Sequence, residues 1–557
     1  MLNEKDEHPS FVCRILENFE EFGNQTYCNV VESGGYSHIT WNSLKSDCQA
    51  VMASLVGIKP GVVLIFLRHG RWLHGSFFGT MLSGKIPSFM PCSSVKQDSE
   101  IYWSSHQELI DHISPVAIIT SSDVLKEMGD SNLDINDAPI ILVESLNNPA
   151  TEIPVCEMED FEVSLLQHSS GTTGLKKGVA LSFEAIEKHA LSYSSSIGLS
   201  GSDSIVSWLP LYHDMGLMAC MIVPAYFAIP VSHLDPFDWV GNPESLFEAI
   251  EQNNGTLSWM PNFAFEHLSL AKGRMDREYD LSSMRAFISC SEVCKPEAFD
   301  NFLSSFSSFG VSANMLQTCY AMAETVFAVS QSSLQDAPNR VSVEAKSLNR
   351  GDKVVISSSN APNGPVRCLL STGSSIDGIG INIVDEERSI LPEKMIGEVA
   401  ISGDFLFDGY FGLPEKTAEL LSGGNYFSRD LGFIESGDLY VLGRIDDLII
   451  VQGRNIYAHQ IEGLVSQINE VKSGRVCAFG RFDVGVGSEV LIVVCEMNEE
   501  MPIESQRQLK SEISRAIVSS IDVVPKQIHL VENGWLVKTT SGKVDRKKNQ
   551  ARFGTGA

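Results

Sequence analysis

The sequence lacks several features that would point away from an ordinary globular enzyme. It has no long apolar run: the longest weakly charged stretch, Gly216 to Val231, contains Pro224 and Pro230 and is expected to be buried core. Its 12 cysteines include no Cys-x-x-Cys pair, and the first residues carry no basic and apolar signal segment. We therefore expect a cytoplasmic protein with reduced thiols and no membrane span.

Positive charge is also scarce. The chain has 41 Lys and Arg against 70 Asp and Glu, a formal net charge of −29. Such a field repels phosphodiester backbones and anionic lipid, so neither nucleic acid nor a membrane surface is the expected partner. Any anionic ligand needs a local basic pocket. The spacing of Cys290 and Cys294 suggests a metal site, but no nearby His or Cys pair completes it.

The length of 557 residues and the hydrophobic content of 43% provide for more than one core. Apolar runs closed by polar turns, "VVLIFLRHG" (62–70) and "VAIITSSD" (116–123), are typical of buried parallel strands. The segments "HQELIDHI" (106–113) and "PESLFEAIEQN" (243–253) have helical spacing of apolar residues. This alternation predicts an α/β fold.

The character of the sequence changes near Gly437. A hairpin-like start, a charged break at Arg444 to Asp447, a strand and an amphipathic helix predict a small α+β domain that includes a helix over 506–518. We therefore predict a large domain over 1–443, a hinge over 444–447 and a small domain over 448–557.

The stretch "LLQHSSGTTGLKKGVALS" (165–182) is rich in hydrogen-bond donors. A strand ending at His168 and a helix capped by Ser182 would place the loop between a strand and a helix. Lys177 follows Gly174 by three positions, which differs from the Walker A spacing. Exposed backbone N–H groups, hydroxyls and the ammonium group predict a polyphosphate site, whose loop residues are Ser169, Ser170, Gly171, Thr172, Thr173 and Gly174. The alternative is a flexible surface turn.

This loop resembles the phosphate-binding signature of the adenylate-forming, or AMP-binding, superfamily, with Lys176 where proline is usual. Further motifs that resemble those of the superfamily follow in order: "WLPLYHDMG" (208–216), "TCYAMAET" (318–325), "SRDLGF" (428–433), "GRIDDLIIVQGRN" (443–455) and "KTTSGKVDR" (538–546). The resemblance implies a large domain of layered sheets and helices, a small mobile C-terminal α+β domain, and ATP-dependent formation of an acyl adenylate with Mg²⁺.

The resemblance also implies the catalytic residues. Glu324, helped by Thr172, would hold Mg²⁺, and Lys177 would lie at the phosphates. Lys543 would bridge the carboxylate and the α-phosphate after the small domain turns about Asp446. His213 would gate the acyl site. Without the resemblance, Glu324 is equally compatible with a salt-bridged structural acid. Lys543, taken with its exposed basic tail alone, would be interpreted as a solvated surface lysine.

For the nucleotide, the resemblance implies that Tyr320 stacks on adenine and that Asp430 and Arg444 bind the ribose. Ala321 and Arg429 stand where the superfamily usually has glycine. The remaining nucleotide-binding residues implied in this way are Ser291, Glu292, Thr318 and Cys319.

Within the superfamily, "WLPLYHDMGL" (208–217) and "SWMPNFAFE" (258–266) look most like fatty acyl-AMP ligases, and 331–371 looks like the insertion typical of them. This likeness implies a fatty acyl substrate and an acyl carrier protein as acceptor, with the basic tail around Lys547 and Lys548 as a docking surface. The acyl-binding residues would be Trp208, His213, Met260, Asn262 and Phe263. The alternatives are an acyl-CoA ligase, an amino-acid adenylation enzyme that uses Asp238, and a non-catalytic nucleotide-binding protein.

Overall fold

The computed structural model describes residues 10–32, 35–92, 99–130, 133–135, 137–150, 152, 154–155, 163–168, 177–357, 366–451, 454–483, 488–521, 523–539 and 543–554. The predicted phosphate loop, 169–176, lies outside these residues, so the expectations for Ser169, Ser170, Gly171, Thr172, Thr173 and Gly174 stay predictions. Elsewhere helices and strands alternate, as expected for an α/β fold.

Two lists give the element bounds in chain order. The α-helices are α1 (Ser10–Phe22), α2 (Trp41–Leu55), α3 (Trp72–Leu82), α4 (Ser99–Ile113), α5 (Ser122–Asp130), α6 (Phe183–Ser196), α7 (Val223–Phe227), α8 (Pro236–Gly241), α9 (Ser245–Asn253), α10 (Asn262–Ala271), α11 (Pro296–Phe306), α12 (Pro414–Leu420), α13 (Ala458–Ser466), α14 (Ile503–Ile521) and α15 (Arg546–Gly554). The strands are β1 (Thr26–Glu32), β2 (Gly35–Thr40), β3 (Val62–Phe66), β4 (Ile86–Phe89), β5 (Ala117–Thr120), β6 (Ile140–Leu142), β7 (Leu165–His168), β8 (Gly178–Leu181), β9 (Ile205–Ser207), β10 (Val231–Leu234), β11 (Leu257–Met260), β12 (Ala286–Ser289), β13 (Leu316–Ala321), β14 (Ala328–Gln331), β15 (Arg340–Glu344), β16 (Val366–Leu370), β17 (Ser374–Ser375), β18 (Ile379–Val384), β19 (Gly397–Gly403), β20 (Gly409–Tyr410), β21 (Leu421–Ser422), β22 (Asn425–Glu435), β23 (Asp438–Arg444), β24 (Leu448–Val451), β25 (Arg454–Tyr457), β26 (Val471–Asp483), β27 (Ser488–Met497) and β28 (Gln527–Val531).

The largest sheet positions the site. Its strand order is β17-β14-β13-β12-β11-β9-β10-β1-β2, and the run from β13 to β1 is parallel. Short apolar strands of this kind are buried on both faces, which is why β9, β11 and β12 read as continuous apolar runs. The carboxyl ends of these neighbouring parallel strands therefore meet at one edge of the sheet, where ligands bind in such folds.

Two further sheets contain segments that the sequence analysis singled out. The predicted strands β3 and β5 lie in a parallel sheet of order β4-β3-β5-β6 and are fully buried. An antiparallel sheet of order β18-β19-β22-β21, with β23 beside β22, carries the "SRDLGF" motif. Residues 428–433 are thus part of a strand rather than of a free loop.

The expectation that the phosphate loop joins a strand to a helix is wrong in one respect. Ser182 does cap α6, accepting a 3.2 Å hydrogen bond from the backbone N–H of Ala185. Residues 178–181, however, form strand β8, which pairs antiparallel with β7. The apolar Val179 to Leu181 stretch is buried against that sheet, so the loop connects two strands of a hairpin.

The C-terminal residues have an apolar core of their own, with members from Ile449 to Val523. Strands β26, β27 and β28 form its sheet, against which α13 and α14 pack, as an α+β unit should. A short turn, Ile445–Asp447, precedes it, and its use as a hinge stays a prediction. The stretch from Gly216 to Val231 is mostly buried core, and no helix in the described ranges is both long and apolar enough to traverse a bilayer.

Candidate active site

The sheet edge gathers most of the predicted residues. Trp208 follows β9 directly, Met260 ends β11, Ser291 lies just after β12, and Tyr320 and Glu324 lie at and after the end of β13. Adjacent parallel strands place these chain segments side by side. The segments that follow these strands therefore lie along one edge of the sheet in the same order as in the sequence.

Glu324 is a buried carboxylate at this edge, with 8% of its surface exposed. Its Oε1 accepts a 2.7 Å hydrogen bond from the hydroxyl of Tyr410. The ammonium of Lys177 lies 4.7 Å from the centre of the Tyr410 ring. Burial lowers the pKa of Lys177, although the charge of Glu324 acts in the opposite sense. A carboxylate that is buried with a neutral donor and a cation nearby is well suited to bind a further cation.

Lys543 comes from the C-terminal unit and reaches the loop after β12. Its Nζ donates a 2.5 Å hydrogen bond to the backbone carbonyl of Ser291. Ser291 has φ +67°, a left-handed conformation that turns the chain sharply after the strand. Burial by itself would raise the pKa of Asp214, but His213 and Lys543 outweigh it and the net shift is downward. Lys543 is therefore within electrostatic reach of the "YHDMG" segment as well.

Asp430 and Arg444 face each other across β22 and β23, with Arg444 Nε 3.3 Å from Asp430 Oδ1. The hydroxyl of Tyr320 donates a 2.5 Å hydrogen bond to Asp430 Oδ2. Burial raises the pKa of Asp430, and the Arg444 charge opposes this shift. These groups form one cluster, and Asp430 is buried within it, with 6% of its surface exposed.

Thr318 and Cys319 differ from Tyr320 in their surroundings. Their side chains are buried inside the sheet, with 0% and 2% exposure. The Thr318 hydroxyl donates to the carbonyl of Ser371 at 2.7 Å. Any contact of these two residues with a nucleotide would therefore be through the backbone, and their predicted role stays untested.

The predicted acyl-binding residues form an aromatic wall. Trp208 stacks on Trp239, with ring centres 3.7 Å apart and planes 6° from parallel. Phe263 meets Trp208 edge to face at 6.0 Å and is 37% exposed. Behind them Met260 is fully buried, and Asn262 Oδ1 accepts a 2.9 Å hydrogen bond from the N–H of Lys295. Phe263 is thus the most exposed of the three aromatic side chains of this wall.

His213 and Glu292 border the same wall. His213 Nδ1 lies 2.5 Å from Asp214 Oδ1, and the imidazole is 18% exposed. Asp214 also accepts from the N–H of Met215, at the start of a π-helix over Met215–Ile222. Glu292 Oε2 accepts a 3.2 Å hydrogen bond from the N–H of Phe263. Glu292 therefore holds the backbone of Phe263, and His213 pairs with the acid at the start of the π-helix.

Arg429, which replaces the usual glycine, takes the conformation that a glycine would favour, with φ +61°. Its guanidinium makes two contacts with Asp446, Nη2 to Oδ1 at 2.7 Å and Nε to Oδ2 at 3.3 Å. Its backbone N–H donates to Glu398 Oε1 at 2.8 Å. Asp446, the predicted hinge residue, is thus paired with the strand that carries Asp430. Next to it Asp447 pairs with Arg546 at 2.7 Å.

The substitution Arg429→Gly is expected to change the free energy of unfolding by less than about 1 kcal/mol. Glycine relieves a left-handed strain of about 1 kcal/mol, and the pair that is lost is an exposed one worth about 0–1 kcal/mol. Arg429→Ala loses the pair and keeps the strain, so it should be less stable than Arg429→Gly by about 1 kcal/mol. Urea denaturation of both variants measures this difference, and equal stabilities would contradict it.

Some residues of the site were missed by the sequence reasoning. Trp239 belongs to "DPFDWVG" (235–241), where only Asp238 was considered, yet Asp238 is exposed and Trp239 is fully buried. Tyr410 lies in a two-residue strand of the β7-β8-β20 sheet and had no motif to identify it. The sequence feature that could have identified Trp239 is its position directly after Asp238 in 235–241.

Comparison with known proteins gives a consistent result. A family model described as "AMP-binding enzyme" matches residues 17–411. The medium-chain fatty acid (acyl carrier protein) ligase JamA of Moorena producens is 29% identical over 70% of this chain and 68% of its own. The long-chain fatty acid AMP ligase FadD32 of Mycobacterium marinum is 26% identical over 93% and 89%. A solved fatty acyl-adenylate ligase structure, from work on the E. coli and L. pneumophila enzymes, has a TM-score of 0.87 and 25% identity and covers 99% of both chains.

Proposed function

The chain belongs to the AMP-binding enzyme family of adenylate-forming ligases, and on that premise we propose that it activates a fatty acid as acyl-AMP and transfers the acyl group to an acyl carrier protein. The observation that carries the proposal is the 2.5 Å contact of Lys543 with Ser291 at the same sheet edge as Glu324. It supports a site in which a lysine of the C-terminal unit and residues of the large domain act on one reaction centre.

The reaction has a simple charge requirement. A carboxylate oxygen attacks the α-phosphorus of ATP, the bond to the β-phosphate oxygen breaks, and pyrophosphate leaves. Negative charge gathers at the α-phosphate, and preorganised cations stabilise it. We assign Lys543 to the attacking carboxylate and the α-phosphate, and Lys177 to the leaving phosphates. Asp430 and Arg444 hold the ribose, with Tyr320 against the adenine and fixing Asp430.

Mg²⁺ suits the residues present. Glu324 offers a buried carboxylate whose only described side-chain hydrogen bond comes from a neutral hydroxyl, that of Tyr410. Oxygen donors of this kind are those that Mg²⁺ prefers. We propose that Glu324 and Thr172 hold the ion, which when bound would neutralise phosphate charge. The role of Tyr410 is then to orient the carboxylate.

The aromatic wall supports a fatty acid as the substrate. Trp208, Trp239 and Phe263 offer an aromatic, apolar surface, and each methylene buried on it contributes about 0.8 kcal/mol. Relatives named as fatty acid ligases, JamA and FadD32, match most of the chain. Asp238 is exposed, unlike the neighbouring Trp239 of the aromatic wall, which supports a fatty acid over an amino acid.

A hairpin of β15 and β16 supports a carrier protein over coenzyme A as acceptor. This hairpin lies within the predicted insertion 331–371. Val343, on β15, shares an apolar cluster with Tyr457, which lies just beyond the predicted hinge. Burial lowers the pKa of Arg367, on β16, while Tyr457 opposes the shift, so the two are near each other. We propose that this contact restricts the rotation that coenzyme A would require.

Product analysis tests the function. The enzyme is incubated with ATP, Mg²⁺ and a panel of fatty, aryl and amino acids, with coenzyme A and a phosphopantetheinylated carrier protein offered together. Mass spectrometry is expected to find acyl-AMP formed from fatty acids. The main final product should be the carrier protein with the acyl group bound to its phosphopantetheine thiol. Acyl-CoA as the main product, or adenylates only from amino acids, would replace the proposal by one of the alternatives.

The double substitution Lys547→Glu and Lys548→Glu is expected to slow acyl transfer to the carrier by about tenfold, because steering by exposed charge changes association rates. Both side chains are exposed, in a basic segment that includes Arg552. Pyrophosphate release should stay within about twofold of wild type. The matched control, Lys59→Glu with Lys126→Glu at two exposed lysines of the large domain, should leave transfer unchanged. Equal loss of both half-reactions would contradict a docking role.

A further inference from the structure

Three buried side chains with metal-binding atoms lie together in elements that carry none of the sequence motifs and that the proposed reaction does not use. Cys28 lies on β1, His74 on α3 and His233 on β10. Their exposed fractions are 0%, 1% and 4%. All three candidate ligand atoms lie within 4.8 Å of one another, the one such group of three among the residues that the structure describes.

The separations match a shared metal ion. Cys28 Sγ lies 3.7 Å from His74 Nε2, and His74 Nε2 lies 3.2 Å from His233 Nδ1. With metal–nitrogen bonds of about 2.0 Å and a metal–sulfur bond of about 2.3 Å, ligand atoms around one ion are about 3.3–3.7 Å apart. The side chains would therefore need little movement to bind an ion placed between them.

The outer nitrogen of each imidazole already has a partner. His233 Nε2 donates to the carbonyl of Cys220 at 2.9 Å, which leaves its Nδ1 lone pair directed at the cluster. His74 Nδ1 lies 3.0 Å from the hydroxyl of Tyr27. Metal-binding histidines characteristically use their second nitrogen in this way, because the hydrogen bond fixes the tautomer and the ring orientation.

We propose that Cys28, His74 and His233 bind one thiophilic transition-metal ion, Zn²⁺ or Cu⁺. A thiolate with two imidazoles suits these ions and is unsuited to Mg²⁺ or Ca²⁺. On binding, the Cys28 thiol releases its proton to solvent. The His74 proton moves from Nε2 to Nδ1, where it is donated to the Tyr27 oxygen, and the Tyr27 hydroxyl hydrogen rotates away.

The hydrogen bonds of these side chains are also satisfied without a metal ion. The competing explanation of the cluster is therefore a purely structural hydrogen-bond network. Tyr27 donates to His74, His74 donates to His233, and His233 donates to the Cys220 carbonyl in an unbroken chain of neutral groups. Burial raises the pKa of the Cys28 thiol and lowers the pKa of His233 to about 3, which keeps both neutral without an ion. A metal must therefore displace one hydrogen bond and one proton, which a thiolate–metal bond outweighs.

The position gives the ion a structural consequence. His233 is the penultimate residue of β10, which leads directly into α8, the helix that carries Trp239 of the aromatic wall. Cys220, whose carbonyl holds His233, lies in the π-helix that begins after Asp214. An ion here would brace both segments behind the acyl site, and this inference stands whether or not the substrate is a fatty acid.

Metal analysis of the full-length protein tests the site. Wild-type protein is stripped with a chelator, reloaded separately with Zn²⁺ or with Cu⁺ under reducing conditions, and desalted. We expect about one ion per chain of the preferred metal, an increase of several degrees in Tm on reloading, and a thiolate-to-metal charge-transfer band with Co²⁺ as probe. The metal that survives competition with a chelator of intermediate affinity distinguishes Zn²⁺ from Cu⁺.

Two variants separate this site from adventitious thiol binding. Cys28→Ser should lose the stoichiometric ion and the charge-transfer band, whereas Cys495→Ser, which removes a buried thiol of the C-terminal core, should retain both. Wild-type protein that retains no ion and shows no Tm change, or Cys28→Ser that binds like wild type, overturns the proposal. The wild-type measurement decides the matter if Cys28→Ser does not fold.

Discussion

Replacing Lys543 by alanine is expected to lower the rate of pyrophosphate release by about 10²–10³-fold, the usual cost of losing one preorganised group that stabilises transition-state charge. In the structure the ammonium donates to the Ser291 carbonyl at 2.5 Å, beside the acidic "YHDMG" segment. A neutral carbonyl does not compensate a lysine's charge, so the group is available to bind an anion that arrives between these elements. Quenched-flow measurement of pyrophosphate release with ATP and a fatty acid gives the rate.

Two controls make the Lys543 result interpretable. Lys547→Ala removes an exposed lysine four residues further on and should leave the rate unchanged. Transfer from chemically synthesised acyl-AMP to the carrier should be little affected in Lys543→Ala, because the acyl–phosphate anhydride bond is already formed and the adenylation step is bypassed. A Lys543→Ala enzyme that releases pyrophosphate at the wild-type rate would remove the basis of the proposed mechanism.

The sequence predicted the helices and strands of this fold well where hydrophobic pattern decides them. The runs at 62–70 and 116–123 contain the buried parallel strands β3 and β5, and 243–253 contains α9, because short continuous apolar runs and apolar residues with period 3.6 have few other ways to be buried. The loop at 169–176 was placed between a strand and a helix because "GVAL" (178–181) is too short for its pattern to separate a strand from a loop.

The chemistry of the site was predictable only as far as the resemblance reached. Glu324, Asp430 and Arg444 come from recognisable motifs, whereas Tyr410 acts through a contact 86 residues away in sequence, which no local pattern encodes. The Cys28, His74 and His233 cluster is a similar case. It is assembled from two strands and a helix, and each residue taken alone reads as ordinary core.

Arg429 shows how a departure from a family pattern acquires meaning in three dimensions. In the sequence the missing glycine only put the local turn in doubt. In the structure the left-handed φ is kept, and the side chain that glycine lacks pairs with Asp446. The left-handed backbone geometry therefore persists in the strand that carries Asp430, while the guanidinium contributes a contact at the predicted hinge.

Glu324→Gln is expected to lower the adenylation rate by about 10²–10³-fold at a fixed low Mg²⁺ concentration and to raise the Mg²⁺ concentration needed for half-maximal rate. Glutamine has the same shape and can still accept the hydrogen bond from Tyr410, so the change removes charge with little change in packing. A Mg²⁺ titration of pyrophosphate release, with ATP saturating, measures both quantities.

The comparison with Tyr410→Phe decides how the carboxylate acts. That variant keeps the Glu324 charge and loses one hydrogen bond, worth about 1 kcal/mol or roughly fivefold in rate, so its Mg²⁺ dependence should shift only slightly. Glu344→Gln, at an acid that pairs with Lys346 in the β15–β16 hairpin, should match wild type. If Glu324→Gln kept the wild-type Mg²⁺ dependence and lost only stability, Glu324 would be a structural acid, and the buried charge would have to be explained by Tyr410 and Lys177 alone.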